Sequence, residues 1–176
     1  MDQPGGRTAI VVPFELPPPL EALRQAHVDN ARFGVPGHVT LLFPFIRADR
    51  IVPADVHRAA AVIRGVPAFD VAFREVRTFD PGPTAEGAAW LAPEPDGPFI
   101  DLTNALAAAF PGYLPYEGLH DTVIPHLTLA NVGVDVPALV AAARPELPFE
   151  RRVEAAALLI EDETGRWRIA HQLPLA

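Results

Sequence analysis

Residues 36–45, PGHVTLLFPF, combine two polar side chains with a run of apolar ones, and the β-branched and aromatic content of the segment favours a strand. Because side chains alternate between the two faces of a strand, His38 and Thr40 share one face while Val39 and Leu41 share the other. The apolar face predicts burial against a core, and Phe43 continues that face. The polar pair predicts that the opposite face of the strand lines a cleft.

The same tetrapeptide motif, His-x-Thr-Leu, recurs in IPHLTLAN, residues 124–131, and a proline again precedes the histidine. His126 and Thr128 would share one face of a second strand, opposite Leu127 and Leu129. One copy alone would fit a half-buried pair that makes local hydrogen bonds. Two copies favour two strands that bring two imidazoles to opposite sides of one pocket.

Two missing residue types restrict the chemistry of such a pocket. The chain has no cysteine, which excludes disulfides, thiolate metal sites, iron–sulfur clusters and cysteine nucleophiles. All fourteen basic residues are arginine. The absence of lysine excludes Schiff-base chemistry, a P-loop with its phosphate-binding lysine, and ligation through a nucleotidylated lysine.

The length and charge of the chain limit the kinds of protein that it can be. With 176 residues and 49% apolar content, the chain is expected to form a single globular domain over residues 1–176 and to be a monomer. A formal net charge of −8 argues against holding long nucleic acid by phosphate neutralisation, but it leaves room for a small anion in a locally positive pocket. No signal-peptide pattern or membrane-spanning run is present, which predicts a cytoplasmic protein that does not bind membranes.

The order of predicted elements indicates an α+β fold, because strands alternate with helices but hairpins recur. The strand-like segments are 7–15, 35–45, 69–80, 88–94 and 126–132, with a hairpin over 152–175. The helical segments are 19–32, 53–65, 98–111 and 137–145. Residues 94–97 are the best candidate for a waist between two lobes.

Two histidines in one pocket suit general acid–base catalysis, since an imidazole titrates near neutral pH. One neutral ring can take a proton from a nucleophile while the protonated partner gives one to a leaving oxygen. The hydroxyls of Thr40 and Thr128 can donate to the non-bridging oxygens of a group held between the rings. A phosphodiester fits this demand, and the chemistry needs no metal.

Other side chains are weaker candidates. Tyr113 and Tyr116, in a proline-flanked loop, are predicted to stack on a nucleobase, whereas Phe43 and Trp90 are expected to pack in the core. The arginines on strands and loops are candidate phosphate clamps, although such residues usually line solvated faces: Arg32, Arg74, Arg77, Arg166 and Arg168. The remaining histidines are expected to lie on helix, strand or loop surfaces: His27, His57, His120 and His171.

HVTL at 38–41 and HLTL at 126–129 resemble the paired signatures of the two-histidine (2H) phosphoesterase superfamily, which includes the bacterial and archaeal 2′-5′ RNA ligases, or RNA 2′,3′-cyclic phosphodiesterases. The segments AAWLAP and FPGYLPYEG are also similar to that family. The resemblance implies a bilobal, LigT-like α+β fold in which two antiparallel sheets flanked by helices are related by a pseudo-twofold. It also implies that the two motif strands line the cleft between the lobes.

The resemblance further implies roles for single residues. His38 would be the proton donor and His126 the proton acceptor in hydrolysis, while Thr40 and Thr128 hold the phosphate. No metal or cofactor is implied, and the substrate would be a nucleotide or RNA end that carries a cyclic phosphate or a 2′-5′ linkage. This chain has Asn131 where the RNA-ligase branch commonly has arginine.

Two alternatives stay open at the level of sequence. The same fold and histidines could bind a nucleotide or phosphate without turnover, because His and Thr can hold phosphate without transforming it. The paired motifs could also be structural parts of an interaction module.

Overall fold

The computed structural model describes residues 5–79, 88–115, 123–131 and 133–176. The strands in these ranges are β1 (Thr8–Phe14), β2 (Gly37–Leu42), β3 (Phe69–Thr78), β4 (Ala89–Glu94), β5 (Leu127–Ala130), β6 (Phe149–Val153), β7 (Ala155–Glu161) and β8 (Trp167–Pro174). The α-helices are α1 (Pro18–His27), α2 (Pro53–Arg64), α3 (Gly97–Ala109) and α4 (Val136–Ala143).

The strands form one curled antiparallel sheet in the order β6-β3-β4-β5-β2-β1-β7-β8. The α+β class is confirmed, whereas the two antiparallel sheets that were expected are one continuous sheet. The reason is that β2 and β5 pair directly, with Val39 opposite Leu127, and so join the two four-stranded halves edge to edge. The two His-x-Thr motifs lie at this central pair.

The two faces of the sheet are buried in different ways. The face that carries Ile10, Val39 and Leu127 packs against the helices and forms the main core, in which these three side chains are fully buried. The opposite face carries a smaller apolar cluster of Ala9, Val11, Val35, Ala157 and Leu159. Because the strands alternate, the polar residues of both motifs lie on this second face.

The predicted helices and strands are present with shifted ends. The helix expected over 19–32 ends at His27, because Val28 is extended, and a single 3-10 turn, Ala31–Phe33, follows. Sequence patterning missed β6, whose Phe149 and Val153 are buried while the residues between them are charged. Residues 94–97, the predicted waist, span the end of β4, a two-residue connection and the first residue of α3.

Within the described part of the chain, no helix combines the length and the apolar character needed to cross a bilayer.

Candidate active site

The four motif side chains lie together at the centre of the sheet. Since Val39 is opposite Leu127 in an antiparallel pair, position 38 is opposite position 128 and position 40 is opposite position 126. Each histidine therefore faces the threonine of the other motif, and the two histidines are diagonal neighbours. Such neighbours are about 7–8 Å apart, which leaves room for a small group between the two rings.

Both imidazoles are held in the same way. Nδ1 of His38 lies 2.8 Å from the carbonyl oxygen of Pro36, and Nδ1 of His126 lies 2.7 Å from the carbonyl oxygen of Ile124. A carbonyl oxygen can only accept, so each Nδ1 carries the proton and donates it. Nε2 is then the nitrogen on each ring that can exchange a proton with a substrate.

His38 is electrostatically disfavoured as a cation in the free protein. Its pKa is lowered to about 4, mainly by burial and to a smaller extent by the charges of Arg24 and His126, while the Pro36 carbonyl acts in the opposite direction. His38 is therefore neutral at pH 7 until an anion enters the site. A bound phosphate would raise this pKa, since an opposite charge nearby favours the protonated ring.

A cavity of about 260 Å³ opens beside the His38 ring. Its walls combine the two motif residues His38 and Thr40 with the aromatic rings of Phe43 and Trp167. Arg7 and Asn30 are further polar residues of the lining. The other described lining residues are apolar: Ala9, Val11, Val35 and Leu159. An aromatic and apolar lining with a few polar groups is typical of a small-ligand pocket.

Phe43 faces this cavity instead of the core, so its predicted position is wrong. The β1–β2 register shifts between Ile10 and Val11, so that Leu42 is opposite Ile10. This bulge adds one residue to β2, and Leu41 and Leu42 are both buried in the core. The alternation is thereby inverted, and Phe43 falls on the same face as His38.

An aromatic wall stands beside His126. The His126 ring makes edge contacts with Phe79, at 5.0 Å between ring centroids, and with Trp90, at 5.9 Å. Phe79 and Trp90 stack on each other, and Arg77 lies over Trp90. Trp90 is buried as expected, yet it packs beside the second motif, because it is opposite Thr128 in the β4–β5 register.

A second, smaller cavity, of about 90 Å³, lies at the end of the site where His38 meets Thr128. Arg24 from α1 lines it together with Asn131. The oxygen Oδ1 of Asn131 accepts the backbone N–H of Asp29 at 3.0 Å, and the backbone N–H of Asn131 donates to the carbonyl oxygen of His27. These bonds hold the end of β5 against the segment that follows α1.

Tyr113, one of the two predicted stacking tyrosines, is not among the described residues that line these two pockets. Tyr113 is half-buried, contacts Phe45 edge to face at 5.7 Å between ring centroids, and lines a separate cavity with Pro44. Tyr116 lies outside the described residues, as does His120. Substrate contact by either tyrosine stays a prediction.

The five arginines named as phosphate clamps also lie outside the linings of both pockets that contain His38. Arg74 pairs with Glu94, Arg77 with Glu75, and Arg32 lies over Phe33. His27, His57 and His171 are exposed, in line with the surface positions expected for them.

Sequence reasoning missed Arg24, Arg7, Phe79 and Trp167 as residues around the site. Arg24 had a usable signal, since it lies four residues after Leu20, on the apolar face of α1, and three after a glutamate. An arginine on a buried helix face with a carboxylate one turn earlier indicates a specific role. The other three reach the site through strand pairing, for which the local sequence carries no signal.

Comparisons with known proteins agree with this geometry. The model of the 2′-5′ RNA ligase superfamily matches residues 12–165. The chain belongs to the 2′-5′ RNA ligase superfamily. Membership in this superfamily of 2H phosphoesterases accounts for the two His-x-Thr motifs, which both lie within the matched residues. No curated protein matches the chain significantly in a sequence search.

Solved structures show that this superfamily member shares the LigT-like fold. TT0787 of Thermus thermophilus is 23% identical, with a TM-score of 0.64 over 96% of this chain and 97% of that one. Escherichia coli LigT complexed with 3′-AMP is 17% identical, with a TM-score of 0.57 over 98% and 99%. Usb1 of Kluyveromyces marxianus is 12% identical, with a TM-score of 0.51 over 98% and 99%.

Proposed function

We propose that this protein is a metal-independent phosphoesterase that acts on 2′,3′-cyclic phosphates or 2′-5′ phosphodiesters of nucleotides or RNA ends. The observation that carries the proposal is the matched pair of imidazoles. Both rings donate from Nδ1 to a backbone carbonyl two residues earlier, which fixes their tautomer and orientation. Both lie on one face of the central strand pair, each opposite a threonine of the other motif.

Hydrolysis of a cyclic phosphate would then proceed in one displacement. Nε2 of His126 takes a proton from water as the water oxygen forms a bond to phosphorus. The bond from phosphorus to one ribose oxygen breaks, and His38 donates a proton from Nε2 to that oxygen. Thr40 and Thr128 donate hydrogen bonds to the non-bridging oxygens, where negative charge is held.

The charge of the substrate supports the donor role of His38. The free ring is neutral at pH 7, because its pKa is about 4. A phosphate anion between the two motifs favours the imidazolium and raises that pKa. His38 would thus acquire its proton on substrate binding and give it up in the reaction.

The cavity beside His38 is a suitable place for the nucleoside that is attached to the reacting phosphate. Trp167 and Phe43 offer aromatic surfaces, and Asn30 and Arg7 offer hydrogen-bond groups. A homologue, Escherichia coli LigT, has been crystallised with 3′-AMP, with ATP and with NADP+. Nucleotide binding by a protein of the same fold is consistent with this assignment.

The test is turnover of nucleoside 2′,3′-cyclic phosphates by purified protein with EDTA present. We expect hydrolysis by the wild type and a loss of about 10²–10⁴-fold in kcat for His38→Ala and for His126→Ala. His171→Ala removes an exposed histidine of β8 and is expected to match the wild type. Activity that survives both motif substitutions, or that disappears with the chelator, would contradict the proposal. Nucleotide binding without turnover would favour a binding protein on the same fold.

A further inference from the structure

The buried, positively charged side chain of Arg24 lines the second cavity, next to the two motifs. Arg24 is 3% exposed, although arginine is among the residues that are rarely buried fully. Taking a guanidinium out of water is costly unless other groups offset the loss of hydration. A guanidinium buried beside His38 and Thr128 therefore needs a negatively charged partner.

Glu21 is one such partner, and it binds two of the three guanidinium nitrogens. Its carboxylate accepts from Nε of Arg24 at 2.9 Å and from Nη2 at 2.7 Å, which fixes the plane of the guanidinium. Gln25 donates to the same carboxylate at 2.7 Å. Within the residues that the structure describes, Nη1 of Arg24 has no acceptor of its own, so one edge of the guanidinium remains for a ligand.

The cavity has the charge and size for one phosphate group. Arg24 is the only charged side chain among the described residues that line it, and no carboxylate is in the lining. The polar lining consists of Asn30, His38, Thr128 and Asn131 beside Arg24. The described lining thus carries a cation and no anion, although the whole chain has a net charge of −8.

We propose that Arg24, oriented by Glu21, binds a non-bridging oxygen of the reacting phosphate at the His38–Thr128 end of the site. The cation of the site would thus come from helix α1, since β5 is followed by the neutral Asn131. This inference rests on the proposed function for the identity of the phosphate as the reacting one. The binding of an anion by Arg24 can be measured without turnover.

The first experiment measures sulfate binding by calorimetry for Arg24→Met, Arg24→Lys and the control Arg64→Met. Arg64 is an exposed arginine near the end of α2. We expect the Kd for sulfate to rise at least about tenfold in Arg24→Met, to recover in part in Arg24→Lys, and to stay unchanged in Arg64→Met. Thermal unfolding establishes that each variant is folded. A folded Arg24→Met that binds sulfate like the wild type would overturn the inference.

Two further variants keep the test decisive if Arg24→Met fails to fold. Arg24→Lys keeps the charge but cannot make the two parallel bonds to Glu21, so we expect sulfate to bind more weakly than in the wild type. Glu21→Gln keeps the guanidinium and removes the opposing charge, so we expect sulfate to bind at least as tightly as in the wild type at low ionic strength. Wild-type affinity in Arg24→Lys, together with weaker binding in Glu21→Gln, would overturn the inference.

Kinetics separate the reacting phosphate from a neighbouring one. For a nucleoside 2′,3′-cyclic phosphate, which carries one phosphate, we expect Arg24→Met to raise KM by a factor similar to its effect on sulfate. An effect confined to a dinucleotide that carries a second phosphate would overturn the assignment to the reacting group. Failure of the wild type to hydrolyse either substrate would refute the proposed function, while the sulfate measurement would still decide the role of Arg24.

Discussion

At the scale of single residues, the site consists of two copies of the same His-x-Thr arrangement. In each copy a backbone carbonyl two residues before the histidine accepts the Nδ1 proton, and a threonine two residues after it lies on the same face. The two copies differ in surroundings, because His38 borders a cavity and a buried arginine while His126 borders an aromatic wall. The two rings therefore have different neighbours, and the acid role proposed for His38 and the base role proposed for His126 rest on this asymmetry.

The first prediction concerns the threonine hydroxyls. Thr128→Val keeps the shape of the side chain and removes the donor, so we expect kcat to fall by about 10²-fold, the effect of losing one preorganised donor. Thr128→Ser retains the hydroxyl and serves as the matched control, with a loss of less than about tenfold. Steady-state kinetics on a cyclic nucleotide measure both. Equal rates for the valine and serine variants would contradict a role for the hydroxyl.

The second prediction follows from the pKa of His38, which is about 4 in the free protein. An anion raises that pKa, so between the free and bound values the protein takes up a proton on binding, and anion affinity falls as the pH rises through the bound value. Calorimetry of sulfate binding at pH 6 in buffers of different ionisation enthalpy measures this uptake. We expect uptake in the wild type and a smaller value in His38→Gln. Equal uptake in the two proteins would show that the proton goes elsewhere.

At the scale of elements, the central strand pair carries the site. Val39 and Leu127 are fully buried on the helix side of the sheet, and their motif neighbours project to the other side. The packing that stabilises the two strands thus also sets the separation of the two histidines. The register of the β2–β5 pair therefore determines both the burial of Val39 and Leu127 and the placement of the two histidines.

The third prediction tests that packing. Leu127→Ala removes a fully buried side chain at the β2–β5 pair, so we expect it to lower the free energy of unfolding by about 2–5 kcal/mol. Leu114→Ala truncates a leucine that is 51% exposed, and its effect should lie within about 0.5 kcal/mol. Urea denaturation of both variants makes the comparison. A Leu127→Ala protein as stable as Leu114→Ala would mean that the pair is not packed as described.

Local sequence predicted the elements except β6, and it predicted that His38 and Thr40, and His126 and Thr128, share a face, because alternation along a strand is a local property. It predicted the burial of Val39 and Leu127 and the shared face of His38 and Thr40. It misplaced Phe43, since the bulge that moves this ring into the cavity depends on pairing with β1. Register shifts of this kind arise between strands and leave no trace in the sequence of one strand.

At the scale of the whole molecule, the two four-stranded halves of the sheet meet at the β2–β5 pair. The order of strands, helices and hairpins predicted the α+β class, and the resemblance implied two antiparallel sheets, but the pairing of β2 with β5 makes one sheet. Arg24, which lines the cavity beside Thr128, lies on a helix more than a hundred residues away from Thr128 in sequence. Such long-range placement depends on the tertiary structure and could not be inferred from spacing.

The fourth prediction concerns the stability of the molecule in acid. The Arg7 side chain, above all by its hydrogen bonds, holds the pKa of the Glu161 carboxyl below its usual value of 4.5. A lowered pKa in the folded state contributes stability above the unfolded value, and this contribution is lost as the pH falls through the folded value.

Glu161→Gln is therefore expected to reduce stability at pH 7 and to lessen its decline below pH 4.5, because the variant has no carboxyl to protonate. Arg7→Met removes the partner and should lessen the same decline. Urea unfolding from pH 7 to pH 3 gives the slopes. A wild-type slope retained in both variants would assign the acid sensitivity to other carboxyls.

The central claim is that the two histidines act as one acid–base unit, and the kinetics of the double variant test it most directly. With a nucleoside 2′,3′-cyclic phosphate and EDTA, we expect His38→Ala and His126→Ala each to lose about 10²–10⁴-fold in kcat. The double variant should lose little more than the worse single one, since removing either member disables the unit. Losses that multiply in the double variant, or a single variant that keeps the wild-type rate, would contradict the account.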